Sequence, residues 1–422
     1  MNDDRYSLAA AQGLDAQDPS WREHFWVPPT ASGDECIYLC GNSLGLQPKR
    51  TRQLVSEELD DWARFGVEGH FQSRRPWYSY HEQVSEPLAR LVGAKGHEVV
   101  AMNGLTTNLH LLMTSFYRPT PERYRIVIEA GAFPSDRYAV ASQARFHGFD
   151  ADDAVVELAP KAGQTTLLTE DVEAWLAEHG HSVALVMIAG VQYYTGQWHD
   201  IRRITAAGHA AGALVGWDLA HAAGNVPLNL HDDGVDFAAF CSYKYLNSGP
   251  GSVSGAFVHE RWSQRSDIPR FEGWWGTEPE TRFEMAPKFS PQRGAGAWQL
   301  SNAPVFSIAP LIASLELFDE IGMSALRVRS LRLTDYFLEL LDRFGAGTFE
   351  VITPRHAAAR GCQLSLRVPG RARELHSALA DAGVVCDFRV PDVIRLAPVP
   401  LYNTYEDMWR FADVFRRVIG TS

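Results

Sequence analysis

The chain has 422 residues, 45% of them apolar, and its 39 basic against 51 acidic side chains give a formal net charge of −12. An acidic protein with scattered positive charge has no electrostatic footprint for nucleic acid or an anionic membrane, and its longest clean apolar run, residues 183–191, is far short of the roughly 18 residues that a bilayer span needs. The N-terminus MNDDR lacks a secretory signature, and five dispersed cysteines make no disulfide framework, so a soluble cytoplasmic protein with reduced thiols is expected.

The first 95 residues are rich in Trp, Pro, Gly and charge, with helical spacing over 50–64. From residue 98 onward, short β-branched runs (99–102, 125–129, 183–188, 213–217, 237–242) alternate with stretches of helical periodicity (107–116, 135–146, 169–179, 201–211). Strands that read as buried, alternating with helices, predict a mostly parallel sheet covered by helices. Residues 273–302 read as loop, dense in Gly, Pro, Trp and Arg. A long helical region over 308–344 follows. A small α/β unit closes the chain, with strands near 349–353, 362–368 and 393–396 and helices near 371–382 and 404–418. The predicted organisation is an N-terminal segment (1–95), a large α/β domain (96–305) and a smaller C-terminal α/β domain (306–422).

Several short motifs point nowhere. GNSLG at 41–45 fits the G-x-S-x-G nucleophile elbow of α/β hydrolases and follows a predicted strand over 37–40. An elbow sits deep within its sheet, however, and almost nothing precedes this one, so a tight turn is expected. No Walker loop occurs, and Gly249, Gly251 and Gly255 are spaced one residue too widely for a dinucleotide fingerprint. Cys36 and Cys40 have no second pair nearby, and no H-E-x-x-H exists among 15 histidines, so no metal site is expected.

One constellation carries chemistry. The strand VGWD ends in Asp218, and 26 residues later the segment after a second strand reads Ser242-Tyr243-Lys244-Tyr245. Ligands bind at the carboxyl ends of strands in open α/β sheets, so Asp218 and Lys244 could face one ligand from two sides. Pyridoxal phosphate (PLP) needs that pair: a lysine to bind it covalently and a carboxylate to keep its pyridine nitrogen protonated. Taken singly, Asp218 reads as a helix cap and Lys244 as a solvated strand end. Together, followed by Gly-rich sequence, they favour the cofactor. NGLTTN at 103–108, between a strand and a helix, gathers free N–H groups and hydroxyls for a phosphate. Phe133, in AFPSD at 132–136, could stack on a cofactor ring.

These stretches resemble the kynureninase family of fold type I PLP enzymes. The matching segments are YLCGNSLG (38–45), MNGLTTNLHLL (102–112), FPSD (133–136), VQYYTG (191–196), WDLAHAAGN (217–225) and GVDFAAFCSYKYLN (234–247). GWWG (273–276), QLSNAP (299–304), RGCQL (360–364) and IRLAPVPLYN (394–403) continue the match, so it runs from about residue 36 to 405. The resemblance implies a seven-stranded, mostly parallel sheet in the large domain. It also implies a homodimer with active sites at the subunit boundary, to which the 1–95 segment contributes contacts, and hydrolysis of a carbon–carbon bond in kynurenine-type amino acids.

Carried over by residue, the resemblance makes Lys244 the covalent anchor of PLP, Asp218 the partner of the pyridine nitrogen and Phe133 the stacking ring, with His221 beside Asp218. Leu105, Thr106 and Tyr243 would bind the phosphate, and Ser135 and Asp136 of the FPSD segment would belong to the cofactor site. Trp274 and Asn302 would complete the site from the partner subunit, and Arg395 would clamp the substrate α-carboxylate. Tyr243 is also expected to donate or accept a proton at the substrate carbonyl. Ala189 departs from the family pattern, where a hydroxyl residue is expected. His70, Ser301 and Asn302 are expected to line a polar ring pocket that favours 3-hydroxykynurenine over kynurenine, and the pathway context would be tryptophan catabolism, NAD biosynthesis or secondary metabolism. The rivals are a cysteine desulfurase or class V aminotransferase of the same fold, a PLP-binding protein without turnover, and a serine hydrolase using Ser43. A desulfurase needs a mobile, reactive cysteine, whereas Cys362 and Cys386 fall on or beside predicted strands.

Overall fold

The computed structural model describes residues 4–420 apart from Gln264, Ser266, Gly345 and Ala346. Its main sheet has seven strands: β1 (Val99–Met102), β2 (Arg125–Glu129), β3 (Val155–Leu158), β4 (Val183–Ala189), β5 (Leu214–Asp218), β6 (Phe237–Phe240) and β7 (Ser254–Val258). They lie in the order β1-β7-β6-β5-β4-β2-β3. β7 runs antiparallel to both of its neighbours, and the other pairings are parallel. The residues of β4, β5 and β6 are nearly all buried, as a sheet covered on both faces requires. Gly216 shows how tightly the layers fit: it sits opposite Phe237 in register, and a Cβ there would lie 2.2 Å from that ring.

Two of these strands, β3 and β7, are absent from the runs expected from the sequence. β7 reads SGAFV, and its Gly255 leaves room for the Phe240 ring, 2.1 Å from where a Cβ would sit. Packing against a neighbour, not intrinsic propensity, makes it a strand. β3 is an edge strand, buried only at its two ends. The helical region expected over 308–344 consists of two helices, Val305–Ile321 and Met323–Phe344, separated by Gly322 at φ +82°, a left-handed conformation that glycine adopts without steric cost.

A second core lies under a four-stranded antiparallel sheet of β8 (Glu350–Val351), β9 (Leu364–Arg367), β10 (Asp387–Arg389) and β11 (Val393–Leu396), in the order β8-β9-β11-β10. Its helices include Ala372–Asp381 and Tyr405–Ile419. The N-terminal segment stitches the two cores together. Ile37–Tyr38 pairs in parallel with Val384–Val385, so that alternate residues face opposite sides. Ile37 and Leu39 join the small core, and Cys36 and Tyr38 join the large one. No helix among the described residues is long and apolar enough to cross a membrane.

Candidate active site

A cavity of about 290 Å³ opens at the carboxyl ends of the parallel strands. β5 delivers Asp218 to it, and the turn after β6 delivers Tyr243 and Lys244. Lys244 Nζ lies 3.0 Å from His221 Nε2. Burial, with Lys244 and Arg395 nearby, holds the His221 imidazole well below its ordinary pKa. The ring is therefore neutral, accepts from Lys244 Nζ through Nε2 and keeps its proton on Nδ1, a buried atom without a partner.

Acid crowds the floor. Asp218 Oδ1 accepts the Ala220 N–H at 2.6 Å, and Asp136 hydrogen-bonds Asp218. Burial and the neighbouring Asp218 push the Asp136 carboxyl well above the usual carboxylate range, so it retains a proton to donate, while its Oδ1 has no partner. Glu129, at the end of β2, is pushed up to about 7, chiefly by burial, and its Oε1 is also unpartnered. A protonated pyridine nitrogen placed here would meet Asp218 with Asp136 behind it.

The opposite end suits an anion. The helix Leu105–Phe116 begins at Gly104 with no side-chain cap, which leaves its first N–H groups open. Thr106 Oγ1 lies 2.7 Å from Ser135 Oγ, at the start of the helix Pro134–Phe146, so two helix N-termini meet at the cavity. Phe133 is 40% exposed, with Lys244 Nζ 5.9 Å from its ring centroid and Tyr193 packed edge-on at 5.2 Å. An open ring face, an anion cradle, a lysine and orphaned polar atoms beside a carboxylate together fit pyridoxal phosphate.

Of the expected cofactor residues, Leu105, Thr106, Phe133, Ser135, Asp136, Asp218, His221, Tyr243 and Lys244 all line this cavity. Arg395 does not. It is 1% exposed and lies behind Tyr193, with Nη1 donating to the Tyr193 carbonyl at 2.8 Å and Nη2 paired with Asp387. Trp274, Asn302, Ser301 and His70 also stand outside the cavity of their own chain. Trp274 is 42% exposed and donates to the Arg282 carbonyl, Ser301 and Asn302 are exposed, and His70 packs edge-on to Trp77.

Sequence reading missed Ser252 and Ser254, which line the cavity, and Glu129 and Asp387 around it. The signal for Glu129 was present: RIVIE ends a buried strand in an acid just as LVGWD does. GNSLG is a turn whose Gly45 N–H donates to the Tyr243 carbonyl at 2.8 Å. Ser43 bonds to Cys40 and lies outside the cavity. Among the described residues, Glu98, His231 and His259 gather possible metal donors. Those atoms are already engaged, Glu98 by His231 and by the Lys95 and Glu260 N–H groups, and His259 Nδ1 by the Arg261 N–H.

A kynureninase of Myxococcus xanthus is 58% identical over 407 residues, covering 96% of both chains, and one of Salinispora tropica is 58% identical over 97% of both. The chain belongs to the kynureninase family. The family's C-terminal domain model matches residues 326–415. As a kynureninase it is a PLP-dependent enzyme that hydrolyses a carbon–carbon bond. The fold is shared more widely. A cysteine desulfurase from Thermococcus onnurineus superposes with a TM-score of 0.75 at 17% identity over 91% of this chain and 94% of its own. The desulfurase CsdA of Escherichia coli gives 0.76 at 19% over 96% and 98%. This likeness covers the fold alone. The cysteines here are buried or half-buried, and burial raises the Cys40 thiol to about 11 and the Cys362 thiol to about 12, so neither is a ready nucleophile.

Proposed function

We propose that this kynureninase cleaves the Cβ–Cγ bond of L-kynurenine and 3-hydroxy-L-kynurenine, preferring the hydroxylated form, and releases the corresponding anthranilate and L-alanine. The observation that carries this is the meeting of Lys244 and Asp218, from two strand ends, across one cavity with a phosphate cradle. Bound through Lys244, pyridoxal phosphate supplies an electron sink that acidifies the substrate Cα–H. The residues supply the rest. Arg395 binds the α-carboxylate, and Lys244, freed by the substrate amine, takes the Cα proton and returns it. Asp218, backed by protonated Asp136, keeps positive charge on the ring nitrogen. Tyr243, whose hydroxyl is held above its ordinary pKa by burial, stays a neutral phenol that can give a proton near the substrate carbonyl. Water adds at Cγ, the Cβ–Cγ bond breaks, and protonation at Cβ yields alanine.

The reading includes a homodimer in which Trp274 and Asn302 reach the neighbour's cavity. An aromatic surface supports it: Phe71, Trp274 and Phe283 pack together yet are each 42–58% exposed, and Met285 beside them is 71% exposed. Exposed apolar clusters of this kind mark association surfaces. His70 adjoins the same cluster. The preference for the hydroxylated substrate rests on His70, Ser301 and Asn302, because polar groups in a pocket penalise an analogue that leaves them unpaired.

A side-by-side measurement of kcat/KM on the two substrates, with alanine release as the assay, tests both parts. A higher value for 3-hydroxykynurenine is expected. Equal or better kinetics on kynurenine overturn the preference, and no alanine from either substrate overturns the reaction.

A further inference from the structure

Arg395 does not stand alone in its strand. In the small sheet it lies directly across from Asp387 in antiparallel register, with Ser365 opposite it on the other side. Asp387 Oδ2 takes both the Arg395 guanidinium and, at 3.0 Å, that of Arg389. The Tyr193 carbonyl holds Nη1 of Arg395, and Nε is buried with no partner. Tyr193 itself lines the cavity and packs edge-on to Phe133. The guanidinium is thus fixed at two corners, with an unused donor on its remaining edge.

The charges of this group are unequal. Two arginines share one aspartate, which leaves a single formal positive charge, with Arg395 buried and Arg389 partly exposed. That surplus matches one carboxylate.

We propose that Asp387 is a positioning residue for the substrate: it fixes the Arg395 fork in the orientation that receives the α-carboxylate, and with Arg389 it sets the net charge that admits a single carboxylate. The proposal rests on the reading of Arg395 as the carboxylate clamp. A charge-assisted bond between directly opposed strand residues is short and directional, so the guanidinium plane is set before substrate arrives. Without Asp387 the fork keeps its charge but loses one of its two anchors, and substrate must then supply the ordering itself.

The test uses the PLP-loaded enzyme and two ligands that share an amine, L-alanine with a carboxylate and ethylamine without one. Binding is followed by absorbance of the bound cofactor. Asp387→Asn is expected to weaken L-alanine at least tenfold and to leave ethylamine within twofold, with a raised KM for the amino acid substrate and kcat within about threefold. A general packing defect would weaken both ligands alike, and that result overturns the proposal, as does unchanged binding of L-alanine. Arg389→Gln, at a partly exposed position, decides the matter should Asp387→Asn not fold. It removes the surplus charge, so L-alanine should weaken at least threefold with ethylamine unchanged, and unaltered L-alanine binding refutes the idea. Arg395→Ala separates the two readings. If it leaves L-alanine binding intact, the clamp assignment itself fails; if it abolishes binding while Asp387→Asn has no effect, only the positioning role fails.

Discussion

At the floor of the cavity, Asp136 Oδ1, Glu129 Oε1 and His221 Nδ1 are buried without hydrogen-bond partners. At the surface around Trp274, the unsatisfied groups are instead rings, with Phe71 57% and Phe283 58% exposed. Both regions are incomplete in the isolated chain, but in different currencies. An orphaned buried polar atom costs on the order of 1–3 kcal/mol, which a charged, hydrogen-bonding ligand can relieve. Uncovered apolar surface costs about 25 cal/mol per Å², and another protein surface relieves it. The first region thus calls for a cofactor, and the second is the surface on which the proposed homodimer would form.

The sharpest way to break the comparison is Lys244→Ala. Turnover should fall on the order of a thousandfold or more and the visible band of the lysine-bound cofactor should vanish, while the thermal midpoint of the cofactor-free protein stays within a few degrees. A variant that keeps band and activity would remove the cofactor from the cavity floor. Arg395→Ala comes next, at about 2–4 kcal/mol of transition-state binding, or roughly 30- to 900-fold in kcat/KM, with the cofactor spectrum unchanged. Poor cofactor binding with normal substrate handling would move Arg395 to the wrong side of the site.

Each region also hides a neutral imidazole. Burial lowers His199, behind the cavity, and His81, beneath the aromatic surface, to about 4. A depressed histidine stabilises the fold fully above its unfolded value near 6.5, and that stability is lost as pH falls toward 4. The loss is about 3 kcal/mol for each group. His199→Phe should flatten this acid limb by roughly that amount in urea titrations at pH 7 and pH 4, at a cost of about 1 kcal/mol at neutral pH for the lost bond to the Ala189 carbonyl. An unchanged limb would mean that the imidazole is solvated. The smallest effect belongs to the surface: Phe283→Ser should raise the dimer dissociation constant about tenfold in equilibrium sedimentation. A dimer of undiminished affinity would place the interface elsewhere.

Much of this molecule was legible before any coordinates. The strands of the sheet centre announce themselves because both faces are buried, so sequences such as VALVMIA carry no polar alternation. Asp218 and Lys244 were legible as charges where such runs stop. What stayed hidden depends on partners far away in sequence. SGAFV becomes a strand because the Phe240 ring fills the space beside Gly255, and Asp387 gains its role only from the residue across the ladder. His70, Ser301 and Asn302 could be carried over by resemblance, yet no periodicity in the sequence places them at a cavity.

Gly45 has a consequence for how this protein tolerates change. A methyl group at that position would sit 2.3 Å from the Lys244 carbonyl oxygen and 2.2 Å from Asn247 Oδ1. The GNSLG turn lies outside the cavity lining, yet it is the mould against which the lysine-bearing segment is cast. A variant library scored for turnover should therefore find position 45 as intolerant as the lysine itself, whereas the same library scored for soluble yield should rank the two positions quite differently. Position 45 would then fail through misalignment of its neighbour, a route to inactivity that leaves every reactive group in the chain chemically intact.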